Sequence, residues 1–416
     1  MNPQFARQSL SRIRQASVRF SSKLSLNEVV IASAARTPMG SFHSSLSSLP
    51  ATKLGSIAIQ SAVERAGIST NDVQEVYMGN VLQAGQGQAP TRQAALGAGL
   101  SESTPCTTIN KVCASGMKSI MLASQSLMCG HQEVMVAGGM ESMSNTPFVM
   151  PRTPPMYGGI KMLDLIVHDG LTDAYGKMHM GICGEDTASK FSISREQQDE
   201  YAISSYKLSA QATKDGKFND EIVPVTIEGK RGKPDVTVAE DEEFKKVNFD
   251  KLATLRAVFQ PKDGTVTAGN ASTLNDGAAA LVLMTRQAAD RLGVKPLATV
   301  VSFADAALAP IDFPTAPAYA IPKALEAAGV TKDDIAMWEI NEAFSVVALA
   351  NIKLLDLDPS KVNVDGGAVS LGHPIGMSGA RLVTHLAHRL NPGQLGCAGI
   401  CNGGGGASAI VIQKCA

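Results

Sequence analysis

The 416-residue sequence lacks any apolar run of the roughly 18–20 residues that a membrane-spanning helix needs, so a membrane span is not expected. It also lacks an excess of charge of one sign, because 37 basic and 38 acidic side chains leave a formal net charge of −1. General attraction to nucleic acid or to an acidic membrane surface is therefore not expected. No CxxC pair occurs, and the spacings between cysteine and histidine fit no zinc site.

The seven cysteines are an odd number for a chain long enough to form two or three domains. We therefore expect free thiols in a reducing compartment rather than a disulfide framework. Hydrophobic residues make up 44% of the chain and charged residues 18%, which is typical of a soluble globular protein.

The first 23 residues contain arginine, lysine and several serines, and the first acidic residue of the chain is Glu28. This composition is typical of a mitochondrial transit peptide that is removed after import, with cleavage expected near residues 19–22. A disordered basic tail is the alternative. We expect a mitochondrial matrix protein whose fold begins after residue 23.

Short β-branched apolar segments alternate with amphipathic helical segments along the first part of the chain. Residues 28–34 and 73–78 are predicted strands, and residues 54–66 between them are a predicted helix that ends at Gly67. The alternation continues to residue 139 and predicts an α/β fold with a parallel sheet and crossover helices.

The same pattern returns in the second half of the sequence. Residues 58–67 (AIQSAVERAG) match residues 320–329 (AIPKALEAAG), and Asp72-Val73 matches Asp334-Ile335 at the same offset. A duplicated α/β domain follows from this repeat. Because open α/β sheets bind ligands at the ends of their strands, loops of the two copies can face a shared crevice.

Residues 143–270 interrupt the first copy with sequence of a different kind. Methionine, proline and glycine are frequent early in this insertion, and charged residues dominate residues 239–246. An insertion of this size is usually a lid or a binding element, and its methionines either line an apolar channel or pack in a core. The predicted domains are an N-terminal domain of residues 27–142 and 271–295, an inserted loop domain of residues 143–270, and a C-terminal domain of residues 296–416.

The stretch around Cys113 is the first candidate for chemistry. Residues 108–117 read TINKVCASGM, in which a strand-like run ends at Cys113 and small residues begin a helical segment. A cysteine at a helix N-terminus is expected to have a stabilised thiolate, and small neighbours allow a substrate carbonyl to approach. A buried structural cysteine is the alternative for this residue taken alone.

Three later motifs strengthen the catalytic interpretation: LGHPIG at residues 371–376, GICNGGGG at residues 399–406 and NEAF at residues 341–344. Cys113 is a nucleophile that can hold an acyl group as a thioester, and His373 is a base suited to neutral pH. Cys401 is a second thiol in a glycine-rich turn, where backbone N–H groups can reach an oxyanion.

These four motifs, in their order along the chain, make the sequence from about residue 28 to the C-terminus resemble the thiolase family. The resemblance is closest to its mitochondrial members that act on acetoacetyl-CoA. It implies a thiolase fold layered α-β-α-β-α with an inserted loop domain. It also implies ping-pong cleavage of acetoacetyl-CoA by coenzyme A and the reverse condensation of two acetyl-CoA molecules, in ketone-body and isoleucine metabolism.

The resemblance assigns roles that spacing alone does not. Cys401 is expected to move the proton at the α carbon of the second acetyl group. The N–H groups of Gly403 and Cys113 are expected to form one oxyanion hole. His373 is expected to form the other, together with a water molecule held by Asn341.

The resemblance also implies contacts with coenzyme A and with the acyl group. The expected nucleotide contacts are Lys246, Val247, Asn248 and Lys251; the expected pantetheine contact is Ser272; the acyl pocket is expected to include His179 and Met180. Lys246 stands where the family commonly has arginine, which puts a bidentate contact there in question.

A potassium site is implied by the same resemblance, formed by Tyr206 and the carbonyl oxygens of Ala268, Gly269, Ala271 and Val369. Gly269 replaces an alanine, which should matter little for a main-chain ligand. The dipeptide Phe313-Pro314 matches one that leaves space for a 2-methyl branch, which makes 2-methylacetoacetyl-CoA a second expected substrate. A homotetramer is implied, with contacts from the early part of the insertion.

Four alternatives remain at this point. A broader-chain 3-ketoacyl-CoA thiolase of fatty-acid β-oxidation would use the same chemistry with a longer acyl tunnel. A decarboxylating ketoacyl synthase shares the fold but uses one cysteine and two histidines, which the Cys-Asn-Gly-Gly context of Cys401 disfavours. A catalytically silent lipid carrier would need no intact motifs, and a zinc protein using Cys113, His373 and Cys401 would lack a fourth ligand.

Overall fold

The structure, a computed structural model, describes residues 26–153, 155–229 and 232–416. The predicted transit peptide, residues 1–23, lies outside these ranges. Within them, no helix combines the length and the apolar character that crossing a membrane requires.

The strands of the described residues are β1 Val29–Arg36, β2 Gly40–Ser41, β3 Glu75–Gly79, β4 Cys106–Ile109, β5 Val134–Ser142, β6 Phe148–Val149, β7 Leu163–Asp164, β8 Val225–Ile227, β9 Val236–Val238, β10 Asn275–Thr285, β11 Ala298–Ala307, β12 Ile335–Ile340, β13 Leu395–Asn402 and β14 Gly406–Lys414. The α-helices are α1 Ala51–Ala66, α2 Pro90–Gly97, α3 Ser115–Met128, α4 Met180–Phe191, α5 Arg195–Lys214, α6 Phe249–Leu252, α7 Arg286–Leu292, α8 Pro317–Ala328, α9 Ser345–Leu355, α10 Ala368–Leu371 and α11 Ser378–Arg389. Short 3₁₀ segments are Thr70–Asp72, Met143–Asn145, Glu243–Lys246, Pro310–Thr315, Lys332–Asp334 and Pro359–Lys361.

The main sheet is mixed, so the expectation of a parallel sheet is confirmed for strands β3, β4 and β5 but does not hold for the whole sheet. Its strand order is β12-β13-β14-β11-β1-β10-β5-β3-β4, with β2 paired to β10. Strands β3, β4 and β5 pair in parallel, as do β12 and β13, whereas β10 and β14 pair antiparallel to their neighbours. Strand β14 is antiparallel to β13 because a tight turn joins them, and such a turn can connect only antiparallel strands. Gly404 and Gly405 form this turn with φ of 86° and 92°.

The duplication predicted from the repeat is confirmed by the topology. The order β4-β3-β5-β10-β1 is repeated as β12-β13-β14-β11, with Val362 bridged in parallel to Trp338 of β12 in the place of β4. Helices α1 and α8 end in the same way, at Gly67 and Gly329, each with φ of 68°.

The layered α-β-α-β-α arrangement is also confirmed. Helices α3 and α11 pack on each other and contact strands of both halves, so they form the central layer. Helices α1 and α2 cover the outer face of the first half, and α8 covers that of the second half. Within the described residues, the two halves of the sheet pair where Val30 faces Thr299 and Ile31 faces Ala298.

The chain between β5 and β10 folds as helices α4 to α6 with two small antiparallel pairs, β6 with β7 and β8 with β9. Helices α4 and α5 pack against α9 of the second half, and α5 also packs against α10. Apolar side chains of α4 share a core with α9, including Cys183, Val347 and Ala350. The insertion therefore adjoins the loops that carry the later sequence motifs.

Backbones of the two halves also approach closely around the carbonyl oxygen of Gly376. A Cβ atom on Gly79 or Gly116 would lie 2.8 or 2.9 Å from that oxygen, and one on Gly139 would overlap it. Each of these contacts is too close for a real Cβ atom, so only glycine permits the observed packing.

We expect Gly139→Ala to lower the free energy of unfolding by about 2 kcal/mol or more, because the added methyl group must push β5 away from Gly376. The urea midpoint measured by circular dichroism tests this. Gly184→Ala is the matched control, because its Cβ would meet Val266 and Phe344 at ordinary contact distances of 3.5 and 3.6 Å. Equal stability of both variants would contradict the packing argument.

Candidate active site

The loop between β4 and α3 presents Cys113 in a fixed conformation. Val112 adopts a left-handed backbone, with φ of 47°, and its N–H donates to Oδ1 of Asn110 at 3.0 Å. Ser115 Oγ accepts from the N–H of Lys111 at 2.8 Å and donates to the carbonyl of Val112 at 2.6 Å. This strained turn holds the cysteine directly before Ala114, the N-cap residue of α3, so Cys113 adjoins the helix N-terminus as the sequence predicted.

Cys113 is buried, and two backbone N–H groups, its own and that of Gly403, act on its thiol in the direction that lowers its pKa. Burial nevertheless raises the pKa of the Cys113 thiol to about 12, although both N–H groups lower it. The expectation of a stabilised thiolate is therefore wrong for the free protein, since desolvation outweighs the helix N-terminus. Burial likewise raises the pKa of Cys401, and the nearby Cys113 sulfur adds to this shift.

His373 is held as a neutral base. Its N–H donates to Oδ1 of Asn275 at 2.9 Å, and its Nδ1 lies 2.6 Å from Ser378 Oγ, which itself donates to the carbonyl of Pro374. This network assigns the proton to Nδ1 and leaves Nε2 unprotonated. Nε2 is buried and has no partner among the described residues. Burial lowers the pKa of His373 to about 4, so the ring is neutral at physiological pH.

Asn341 lies at the end of β12, where its backbone N–H donates to the carbonyl of Gly399 at 3.0 Å. Both polar atoms of its side-chain amide are buried and have no hydrogen-bond partner among the described residues. Buried amides are normally paired, so these two atoms point to a bound water or substrate. This observation fits the role that the resemblance gave Asn341.

Glu342 fastens the Asn341 turn to the insertion and to the neighbouring loops. Its carboxylate accepts from the hydroxyls of Tyr201 and Ser205 at 2.9 and 2.8 Å. It also accepts from the side chain of Asn363 and the N–H of Val369, each at 3.0 Å. Burial raises its pKa, and these donors lower it.

Glu141 is a residue that the sequence analysis missed. Its carboxylate accepts from the side chain of Asn80 and from the N–H groups of Val81, Leu82 and Gly376, at 2.8 to 3.3 Å. It therefore joins the first half to the loop that carries the catalytic histidine candidate. Burial raises its pKa to about 7. A lone carboxylate in an otherwise uncharged strand was the sequence signal.

A cavity of about 160 Å³, the acyl cavity, collects the residues predicted to surround the acyl group. It is lined by Met143, Leu171, His179, Met180, Phe259, Ala271, Ser272, Thr273, Leu274, Phe344, His373 and Ile375. Phe313 is buried in the apolar cluster that also contains Met180, Phe344 and Cys401. The structure thus brings His179, Met180, Ser272 and His373 together, with Phe313 packed behind them.

A second cavity of about 260 Å³, the nucleotide cleft, collects the predicted nucleotide contacts. It is lined by Tyr206, Glu243, Lys246, Val247, Asn248, Lys251, Leu252, Leu255, Ala268, Gly269 and Thr273. Lys246 and Lys251 are exposed there. Thr273 lines both cavities, so the cleft leads toward the acyl cavity along Ser272 and Thr273.

The residues of the predicted potassium site are only partly gathered. Tyr206, Ala268 and Gly269 line the nucleotide cleft, and Val369 packs with Tyr206 in one buried cluster. Ala271 lines the acyl cavity instead. An alanine at position 269 would place its Cβ 2.8 Å from Leu255, so a flexible side chain would have to shift slightly.

The surroundings of Tyr206 suit a cation. Burial and the charges of Glu243 and Glu342 raise the pKa of its hydroxyl, so two carboxylates act on this position. Among the described residues no three His, Cys, Asp or Glu side chains are grouped to hold a metal ion. That finding argues against the zinc alternative, which needs Cys113, His373 and Cys401 as a group. The predicted potassium site uses neutral oxygen donors instead, which suit a weakly held cation.

Comparison with known proteins gives a consistent result. The family model for the thiolase N-terminal domain matches residues 29–287, and that for the thiolase C-terminal domain matches residues 294–414. A mitochondrial acetyl-CoA acetyltransferase of Danio rerio is 71% identical over 95% of this chain and 94% of its own length. The proteins of the same name from Bos taurus and Homo sapiens are 69% and 66% identical, over 97% and 98% of this chain and 96% and 95% of theirs.

A solved structure is similar over nearly the whole chain. It is a thiolase of Ascaris suum in complex with coenzyme A, 47% identical, with a TM-score of 0.90. The similarity covers 93% of this chain and 100% of that one.

Replacing His373 by asparagine is expected to slow alkylation of Cys113 by iodoacetamide about 100-fold at pH 7.5, because no base remains to take the proton of a thiol with a pKa of about 12. The residual rate should rise about tenfold per pH unit between pH 7 and 9, since the thiolate fraction does so below the pKa. Peptide mass spectrometry measures both rates. Exposed Cys129 is the internal control, and unchanged alkylation of Cys113 in the variant would contradict the assignment of the base.

Proposed function

The chain belongs to the thiolase family, and from this premise we propose that it is an acetyl-CoA acetyltransferase that cleaves acetoacetyl-CoA reversibly with coenzyme A. The observation that carries this proposal is the convergence on one buried thiol. The backbone N–H groups of Cys113 and Gly403 lower the pKa of this thiol, and the Cys113 sulfur lies near enough to Cys401 to raise the pKa of the Cys401 thiol. The neutral His373 base lines the acyl cavity.

In the first half-reaction, Cys113 attacks the keto carbon of acetoacetyl-CoA while Nε2 of His373 takes its proton. The carbon–carbon bond then breaks, and its electron pair stays on acetyl-CoA as an enolate. Cys401 protonates the α carbon, acetyl-CoA leaves, and the proton on His373 returns to the Cys401 thiolate. Cys113 now carries an acetyl thioester.

In the second half-reaction, His373 takes the thiol proton of coenzyme A, and the resulting thiolate attacks the acetyl group on Cys113. The bond to Cys113 breaks, the second acetyl-CoA leaves, and His373 reprotonates Cys113. The N–H groups of Cys113 and Gly403 would stabilise the thioester oxyanion. His373, with a water held by the unpaired amide of Asn341, would stabilise the enolate oxygen.

The substrate nucleotide is proposed to occupy the nucleotide cleft. The exposed ammonium groups of Lys246 and Lys251 would face its phosphates, with Val247 and Asn248 beside them. The pantetheine arm would pass Ser272 and reach the acyl cavity next to His179 and Met180. In this proposal the insertion, residues 143–270, supplies most of the coenzyme A site between domains of residues 27–142 with 271–295 and residues 296–416.

Potassium is proposed to bind beside the nucleotide cleft through Tyr206 and the carbonyl oxygens of Ala268, Gly269, Ala271 and Val369. The negative charges of Glu243 and Glu342, which raise the pKa of Tyr206, support a cation there. When bound, the ion would supply positive charge and hold together two loops next to the cleft.

The acyl cavity favours short substrates over the longer ones of β-oxidation. Its volume of about 160 Å³ is bounded by bulky side chains, among them Phe259, Phe344 and Met180. Phe313 is buried in the same apolar cluster as Met180, which supports a small site suited to acetoacetyl-CoA. We propose that a 2-methyl branch also fits, so 2-methylacetoacetyl-CoA is a second substrate.

Steady-state cleavage of acetoacetyl-CoA, 2-methylacetoacetyl-CoA and a medium-chain 3-ketoacyl-CoA, with and without potassium, tests this proposal. Turnover of both short substrates, faster with potassium and nearly absent on the medium chain, is the expected result. Strong medium-chain activity without a potassium effect would assign the protein to the broader-chain thiolases. Folded protein that cleaves none of them would be a silent carrier instead.

A homotetramer in the mitochondrial matrix is the proposed state of the enzyme. Large apolar side chains are exposed together early in the insertion, with Met156 and Tyr157 almost fully accessible and Phe148, Ile160 and Met162 more than half exposed. Apolar patches of this kind usually mark an interface. The relatives are named as mitochondrial proteins, which supports the location.

The double variant Met156→Asp and Tyr157→Asp is expected to dissociate the tetramer into dimers, because charge on this patch opposes its burial. Size-exclusion chromatography with light scattering measures the mass. Val236→Asp is the control, since Val236 is also apolar and more than half exposed but lies on the separate β9 hairpin. A tetramer that persists in the double variant would show that the patch is not the interface.

A further inference from the structure

Four consecutive acidic residues stand shortly before Lys246, one of the two lysines of the nucleotide cleft. Residues 240–243, here called the acidic strap, read Glu-Asp-Glu-Glu, and Lys245 and Lys246 follow. Carboxylates pointing into a cleft that receives phosphates would repel them. The directions in which the strap side chains point therefore matter for coenzyme A binding.

Asp241 points into the protein and is 1% exposed. Its two oxygens accept from the two terminal nitrogens of Arg36 at 2.7 and 2.9 Å, and one also accepts from the N–H of Met39 at 2.8 Å. Arg36 is fully buried and donates its Nε to Glu221 at 2.7 Å. Its guanidinium also stacks on Phe218, 5.4 Å from the ring centre. This pair of parallel hydrogen bonds from a planar guanidinium, here called the fork, fixes both the position and the direction of the Asp241 carboxylate.

The next two strap residues are also drawn toward the end of β1. Glu242 accepts from the N–H of Ser41 at 2.8 Å and donates its own N–H to the carbonyl of Met39 at 3.2 Å. Glu243 hydrogen-bonds to the hydroxyl of Ser41 while still lining the nucleotide cleft, where its carboxylate lies 3.9 Å from the ammonium of Lys246. Only Glu240 remains at the surface, where it pairs with Lys245 at 2.6 Å. The strap is thus seated on residues 36–41.

We propose that Arg36 is a positioning residue for coenzyme A, acting through Asp241. The fork holds the strap, and the strap fixes the starting point of the turn Glu243–Lys246 and of helix α6 Phe249–Leu252. These two elements present Lys246 and Lys251 to the nucleotide cleft. The inference rests on the proposed function, because it assumes that coenzyme A occupies this cleft.

For the substitution Asp241→Asn, simple electrostatics and the positioning role predict opposite changes in the affinity for coenzyme A. Asp241→Asn removes a negative charge next to the lysine-bearing segment. Reduced repulsion of the phosphates alone would therefore tighten coenzyme A binding. The substitution also breaks the charged fork with Arg36, which by positioning would loosen binding. The sign of the change therefore separates the two explanations.

The value of kcat, which depends on His373, shows whether a substitution in the strap also disturbs residues 36–41. The carbonyl of Gly40, within the seat of the strap, accepts from the side chain of Asn275, whose oxygen accepts from the N–H of His373. A disturbance that spread through residues 36–41 would therefore reach the base and lower kcat. A change confined to the strap would raise KM for coenzyme A and leave kcat unchanged.

The test is the thiolysis of saturating acetoacetyl-CoA by the full-length Asp241→Asn variant, with coenzyme A or with pantetheine, which lacks the nucleotide, as the attacking thiol. We expect KM for coenzyme A to rise about tenfold, a loss of the size of one charge-assisted hydrogen bond. KM for pantetheine and kcat should stay within about twofold of the parent enzyme. Glu240→Gln is the matched control, because it removes a strap charge that has no contact with Arg36; its KM should not rise.

An unchanged or lower KM for coenzyme A in folded Asp241→Asn would overturn the proposal, as would an equal loss with both thiols. If Asp241→Asn does not fold, Arg36→Lys keeps the buried charge but loses the fork, and the same split is expected. Calorimetric titration with coenzyme A separates this inference from the proposed function. If the parent protein shows no turnover but the variant binds coenzyme A more weakly than the parent, positioning is supported and the proposed activity is contradicted. If the parent protein is active but both proteins bind coenzyme A equally, the activity is supported and positioning is contradicted.

Discussion

The close backbone contact around the carbonyl oxygen of Gly376 is the constraint on which the site depends. Gly79, Gly116 and Gly139 of the first half all pack against this oxygen at distances that exclude a side chain. Gly116 lies in the first turn of the helix that follows the nucleophile candidate, and Gly376 belongs to the loop of the base candidate. A duplicated fold can combine residues of its two halves only where their backbones meet, and glycine makes this meeting possible.

Burial then sets the charge state of the assembled site. Cys113 and Cys401 hold their protons because desolvation raises both pKa values, whereas His373 is neutral because desolvation lowers its pKa to about 4. A neutral base beside protonated thiols is the state from which an acyl transfer can start. The buried carboxylates that brace the site, Glu141 and Glu342, each accept four hydrogen bonds, which offsets the cost of their burial.

Local pattern was enough to predict much of the architecture. The repeat of residues 58–67 at residues 320–329 predicted the duplication, because a helix, its glycine cap and the next strand recur together. The antiparallel positions of β10 and β14 were missed, since hydrophobic alternation does not encode the direction of pairing. The thiolate expected at Cys113 was also wrong, because burial depends on chain segments far away in sequence.

The residues that position the site could not be predicted for the same reason. Asn275 accepts a hydrogen bond from His373, which is 98 residues away in the sequence. Arg36 donates to Asp241, which is 205 residues away. Arg36 reads in the sequence as the polar end of a strand, and only the structure shows that it is buried with two carboxylates. Removing one partner from such a buried set typically costs about 3–5 kcal/mol, so these long-range pairs are as much a part of the design as the four motifs.

The most direct test of the account is intact-protein and peptide mass spectrometry after rapid mixing with acetoacetyl-CoA in the absence of free coenzyme A. The account predicts a mass increase of one acetyl group, located on Cys113 and removed when coenzyme A is added. An enzyme that turns over without this adduct, or that carries the acetyl group on Cys401 instead, would contradict the assignment of the nucleophile on which the mechanism rests.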